Sequence, residues 1–120
     1  MAHDGPSEAL RTGRLYAVLA ELQKQAVGEH HSLGLPGTLR ALLRAPSKVL
    51  NPHLWQVGAY LLAARNRGRG ESATVLFRSI PDVLPLGQEL PHALTPQERE
   101  RFHEGLTAQR AEIAKALQEL

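Results

Sequence analysis

Apolar residues recur at three- and four-residue spacing through most of the chain, the pattern of amphipathic helices. Leu15, Val18, Leu19, Leu22 and Ala26 line one face of a first helix, predicted to be capped by Ser7 and to run to about Val27. Residues 1–6 read as a flexible lead-in. Gly28 closes the helix, and Gly28 to Gly37, rich in Gly and His, reads as a loop. From Thr38 to Leu50, the residues Leu39, Leu42, Leu43, Val49 and Leu50 form a second apolar stripe. Pro46 should kink or split that helix and bend the stripe. Asn51-Pro52 has the form of an N-cap followed by proline at the first helical position, so a third helix is expected over about Pro52 to Arg65. Leu54, Trp55, Val57, Tyr60, Leu61 and Leu62 make it apolar on several sides, which places it at the centre of the core.

Ser72 to Ile80 would also suit a strand, but with helices on both sides and no strand partner nearby it reads as a short fourth helix. Pro81, Pro85 and Pro91 make 81–94 an irregular connector, laid over the bundle by Val83, Leu84, Leu86 and Leu90. Thr95-Pro96-Gln97-Glu98 is a capping box with proline at the first helical position, opening a last helix lined by Phe102, Leu106, Ile113, Leu117 and Leu120. The expected fold is all-α, a small helical bundle of four to five helices in a single domain over 1–120. Gly13, Gly58 and Gly105 fall inside predicted helices, where each costs about 1 kcal/mol relative to alanine. Close approach between packed helices is the favoured reason for them.

Charge changes the picture more than composition does. The net charge is only +2, yet residues 30–80 hold seven cations against Glu71 alone, and no carboxylate lies between His30 and Gly70. Arg40, Arg44 and Lys48 recur at four-residue spacing and drift by only about 40° per step on a helix, so they share a face. Arg65, Arg67 and Arg69 bracket a basic loop over 66–71 that has the look of an RGG-type segment. Such a row can follow a phosphate backbone without reading sequence; a solvated basic face remains the alternative for these residues. Tyr16, Trp55, Tyr60, Phe77 and Phe102 sit mostly at core-like positions, so base stacking is not expected to dominate. The small net charge fits a subunit that adds part of a basic channel better than a free-standing DNA binder.

Other chemistry is sparse. There is no cysteine, and the six histidines show no H-x-x-x-H or H-E-x-x-H spacing. No phosphate-binding glycine loop and no G-x-S-x-G occurs, and Glu98, Glu100, Glu104, Glu112 and Glu119 are explained by capping and i,i+4 pairing on the last helix. No metal, cofactor or catalysis is expected. No apolar run approaches the ~18 residues of a membrane span, and no export signal opens the chain, which predicts a cytoplasmic protein with no membrane contact.

Three stretches together resemble one family. Gly13 to Gln23, GRLYAVLAELQ, resembles the G-R-L-[FLY]-A-V-L-E-x-[IL]-Q run near the C-terminal end of the type I-C CRISPR Cascade large subunit. Leu35 to Arg44, LPGTLRALLR, is similar to that family's T-P-x-x-V-F-P-R-L-L-R stretch. Leu94-Thr95, Glu98, Phe102, Gly105 and Gln109-Arg110 fall in register with its L-[ST]-x-E-E-Q-x-x-F-x-x-G-Y-Y-H-Q-R signature. Leu106-Thr107-Ala108 replaces the family's Tyr-Tyr-His, so contacts of those tyrosines are not carried over.

The resemblance implies a helical bundle of the kind that type I-C systems also make as a separate small subunit from an internal start, and a 120-residue chain opening at Met1 looks like that subunit. It implies a non-catalytic role: lining the interference complex beside guide-RNA-bearing backbone and large subunits, in more than one copy, and stabilising opened DNA in the R-loop. Of the candidate nucleic-acid-binding residues, Arg14, Arg44 and Arg110 coincide with family motif positions. Arg40, Lys48, Arg65, Arg67 and Arg69 rest on charge pattern alone. Two rivals stand beside this reading. A helix-turn-helix regulator would need a more polar recognition helix than Pro52 to Arg65 offers. A protein–protein adaptor would instead set the basic middle against an acidic partner.

Overall fold

The computed structural model describes residues 5–85 and 89–120. Among these there is no strand. Six α-helices follow one another: α1 (Gly5–Val27), α2 (Pro36–Arg44), α3 (Pro46–Leu54), α4 (Val57–Asn66), α5 (Gly70–Val83) and α6 (Pro96–Gln118), with a 3-10 turn at Ser32–Gly34 before α2. The chain is all-α as expected, with six helices rather than four or five.

Proline accounts for most of the difference. Pro46 takes the first position of α3, where its missing N–H is needed by no partner, so of the two expected outcomes it splits the stretch into two helices rather than kinking one. Asn51-Pro52 then lies inside α3 rather than capping a new helix. The expected helix over Pro52 to Arg65 is broken at Trp55-Gln56, where the Gln56 N–H reaches back to the His53 carbonyl (3.0 Å) and tightens the turn. Pro81 is tolerated within the last turn of α5, which takes in Ser72 to Ile80 and the start of the expected connector. At the N-terminus Gly5 and Pro6 already belong to α1, so helix replaces part of the expected lead-in; residues 1–4 lie outside the described residues.

The centre of the molecule is α1, not the segment after Pro52. Ala9, Thr12, Leu15 through Leu19, Leu22 and Ala26 are all buried, and α4, α5 and α6 each pack on this helix. Tyr60 and Ala64 of α4 are buried, but Trp55 is 83% exposed and Leu62 59%. A segment of two short helices has an inner face only; the 23-residue α1, with alanines between its leucines, can be enclosed on several sides.

The tightest packing joins α1 to α6. Leu10 lies by Gly105 and Arg14 by Gln109 and Glu112, so the two helices run in the same direction. A Cβ added at Gly13 would collide with the Phe102 carbonyl oxygen, and one added at Gly105 with the Leu10 carbonyl oxygen. Each glycine therefore lets the other helix's backbone in. At Gly58 an added Cβ would meet nothing within 4 Å, so the packing explanation holds for two of the three glycines.

Helix ends are closed by side chains, some from distant elements and some from within the same helix. Arg11 donates to the Asp82 and Leu84 carbonyls (3.1 and 3.0 Å) at the end of α5. Thr95 and Glu98 form the expected capping box of α6. Between α5 and α6, Leu90 and Leu94 are buried and the Ser47 N–H donates to the Pro91 carbonyl (3.0 Å), which lays the described part of the connector on the bundle. Leu86 lies outside the described residues.

Alanine at Gly13 or Gly105 should lower stability by about 1–3 kcal/mol, because overpacking exceeds the gain in helix propensity. Alanine at Gly58 should be neutral or stabilising by up to about 1 kcal/mol. Urea unfolding of the three variants separates the positions.

Candidate nucleic-acid interface

Arg40 and Arg44 are exposed, one turn apart on α2. The chain then turns at Ala45 (φ −150°, ψ 75°), and Lys48 follows, exposed, on α3. The three cations thus occupy the outer sides of two abutting helices rather than one continuous helical face. Arg65 on α4 and Arg69 just beyond it are exposed too. Among the described residues, none of these five has an ion pair or a hydrogen-bonded side-chain partner.

The basic loop is shorter and tighter than the expected 66–71. Asn66 ends α4 and Gly70 starts α5. Gly68 takes φ 76°, its N–H reaches the Arg65 carbonyl (3.0 Å), and the Arg69 N–H reaches the Ala64 carbonyl (2.8 Å). That pair of bonds is a Schellman motif, a defined helix stop in place of a flexible RGG-type segment.

The other three candidates are placed elsewhere. Arg67 folds back over Gly28 and donates to the carbonyls of Gln25 (3.1 Å) and Lys24 (3.4 Å), closing the end of α1. Arg14, half-buried between α1 and α6, donates to Gln109 Oε1 at 2.7 Å and pairs with Glu112 at 3.3 Å. Arg110 is exposed on α6, in a cleft of about 380 Å³ with Tyr16, Lys24 and His31. There burial raises the Tyr16 pKa and the charge of Arg110 partly offsets the rise, while the Tyr16 hydroxyl donates to the Leu33 carbonyl (2.7 Å). The structure spreads Arg40, Arg44, Lys48, Arg65 and Arg69 over consecutive elements and sets Arg67 beside Arg69, in a pocket they share with Lys24 and Glu29, while Arg14 and Arg110 lie on α1 and α6. Sequence reasoning missed two residues. Arg78 on α5 is exposed with no partner among the described residues, and Trp55 is at the surface. The signal for Trp55 was its i+7 spacing from Lys48, the period that puts both on one helical face.

A polar hub holds the bend at Trp55-Gln56 against α1. Gln23 donates to Ser32 Oγ (2.8 Å) and to the Tyr60 hydroxyl (3.3 Å), and its Oε1 accepts the Leu33 N–H (2.8 Å). The Tyr60 hydroxyl, which accepts from Gln23, also shares a hydrogen bond with His53 Nδ1 at 2.7 Å; in the Nε2-protonated tautomer of a neutral imidazole the hydroxyl is the donor. Burial lowers the His53 pKa from its usual 6.5 and raises that of Tyr60, on which the Gln23 bond acts in the opposite sense.

Ser47, His92 and Glu89 form a second chain (Ser47 Oγ to His92 Nδ1 3.3 Å, His92 Nε2 to Glu89 3.5 Å). His92 and Glu89 are about four-fifths exposed, and the Ser47 amide is bonded to Pro91, so these contacts fasten the connector to α3. Among the described residues no three His, Cys, Asp or Glu side chains gather as a metal site would need, and no helix is long and apolar enough to cross a membrane. No family model, no curated protein and no solved structure matches the chain.

The hub makes stability depend on pH. Below about pH 6.5 the unfolded chain takes up a proton at His53 that the folded state resists, so stability should fall as the pH drops through that value and on through the lowered folded pKa. Urea midpoints at pH 7.5 and 5.5 should differ more in the native protein than in a His53→Gln variant.

Proposed function

We propose that this protein is a non-catalytic small subunit of a type I CRISPR interference complex, holding DNA by its phosphates along α2–α4 and helping to stabilise the R-loop. The observation that carries the reading is the set Arg40, Arg44, Lys48, Arg65 and Arg69, exposed and unpaired among the described residues, in a stretch free of carboxylates from His30 to Gly70. Cations left without acidic neighbours raise the local potential and attract a polyanion; cations paired on the surface would cancel. The resemblance over Gly13 to Arg110 supplies the setting, with backbone and large subunits as neighbours. Arg44 is the one resemblance-derived candidate that lies on this strip.

A protein–protein adaptor is the second reading, favoured by the exposed apolar side chains of Trp55 and Leu62 on the same elements. Charge reversal separates the two. Arg40→Glu, Arg44→Glu and Lys48→Glu together should abolish binding to single-stranded DNA at low salt while leaving the fold and co-purification with Cascade subunits intact. Lost assembly with these changes would support the adaptor instead. In a salt titration the native protein should lose affinity with a log–log slope of about −0.7 per phosphate contacted, and each neutralised contact should flatten it by that amount. Arg67→Ala should lower the melting temperature and leave the slope unchanged, since Arg67 closes α1.

A further inference from the structure

We propose that Trp55 is a base-stacking platform for single-stranded nucleic acid, flanked along the chain by the proposed phosphate-binding cations Lys48 and Arg65. The inference rests on the proposed function above and narrows its ligand to a strand whose bases are free.

Local structure brings Trp55 to the surface. Its N–H bonds the Asn51 carbonyl (3.1 Å), so helical geometry continues through α3 to this residue before the chain bends. On α3 the inner face is Ser47, Leu50 and the half-buried Leu54; the outer face is Lys48, Pro52 and Trp55. Lys48 and Trp55 therefore share a side, two turns or about 10 Å apart along the axis. Beyond the bend, the outer face of α4 runs Gly58, Ala59, Leu62 and Arg65, all exposed. Gly58 leaves the space beside the bend open. The His53–Tyr60–Gln23 hub fixes the bend from behind.

An indole 83% exposed has its π-face available in solution. Its surroundings select the occupant. No carboxylate occurs from His30 to Gly70, and Arg40, Arg44, Lys48, Arg65 and Arg69 precede and follow it. An acidic peptide could meet the charges, but regularly spaced negative charges with a flat apolar surface between them describe a single strand. Aromatic faces stack on any base, so the site is sequence-tolerant, and duplex is disfavoured because its bases are already stacked.

Trp55 is the chain's one tryptophan, so its fluorescence reports the site directly. Oligothymidylate added at low salt should quench the emission, and an abasic strand of equal length and charge should bind more weakly with little quenching. Trp55→Ala should weaken oligothymidylate binding about tenfold or more with an unchanged salt slope, since no charge is lost, and Trp55→Phe should restore part of the affinity. Equal affinity of native protein and Trp55→Ala for oligothymidylate would overturn the stacking role, leave the phosphate strip standing, and assign the indole to a protein contact. Absence of any binding by the native protein at low salt would overturn both. Thermal unfolding of both variants should match the native protein, the side chain lying outside the core.

Discussion

The approach of α1 and α6 through Gly13 and Gly105 is the constraint on which the other elements depend. With each glycine admitting the other helix's carbonyl, the two long helices sit closer than side-chain packing would allow. Phe102 is then fully buried, its ring 6.0 Å from that of Tyr16. The remaining surface of α1 is covered by α4 and α5, and the Tyr16 hydroxyl and Gln23 reach out from it to hold the turn at Leu33. The elements from Ser32 to Asn66 are thus packed onto a finished pair of helices. Their outer faces have no further part in the core.

That arrangement sorts the arginines. A guanidinium beside the C-terminal end of a helix finds carbonyls that no backbone N–H can reach, and Arg11 and Arg67 are used in this way. Arg14 is taken up by α6, in a contact where a carboxamide and a carboxylate share one charge. These side chains serve the fold although their sequence context looks no different from that of Arg40, Arg44, Lys48, Arg65 and Arg69. What separates the groups is whether packing sets an acceptor from another element within reach of the guanidinium, since Arg44 and Arg65 also sit in last turns and find none among the described residues, and no local pattern encodes that.

The legible parts of the fold were those set by neighbours in sequence. The α6 capping box, the glycine closing α1 and the heptad-like stripe of α1 depend on residues three to seven apart. The illegible parts depended on competition. Pro46 reads as a kink or split and Asn51-Pro52 as a helix start; the burial of Pro46 and Ser47, with the Ser47 amide bonded to the connector at Pro91, puts the start at Pro46. Once α3 begins there, Lys48, Pro52 and Trp55 must face outward, and the core position expected for Trp55 is lost. The basic strip was legible as composition, but its division among elements was not. Counting cations along the chain gives their density; only the packing tells which are already bonded.

Arg40, Arg44, Lys48, Arg65 and Arg69, unpaired among the described residues, set a scale for what the proposed strip would do alone. Five single-strand phosphate contacts give a log–log salt slope of roughly −3.5, so affinity falls about a hundredfold between 50 and 200 mM salt. A lone strip of this size would hold DNA weakly under cellular ionic conditions. The remedy available to a small domain is to place its strip beside others, so that a strand held by neighbours stays at high effective concentration over each one. The acids outside residues 30–80, seven of them in 81–120 against four cations, bring the net charge down to +2, and a modest net charge limits non-specific attraction of polyanions. Weak, salt-sensitive contact is therefore what a shared channel requires of each contributor: enough attraction to retain a strand already delivered, and too little to compete for one free in solution.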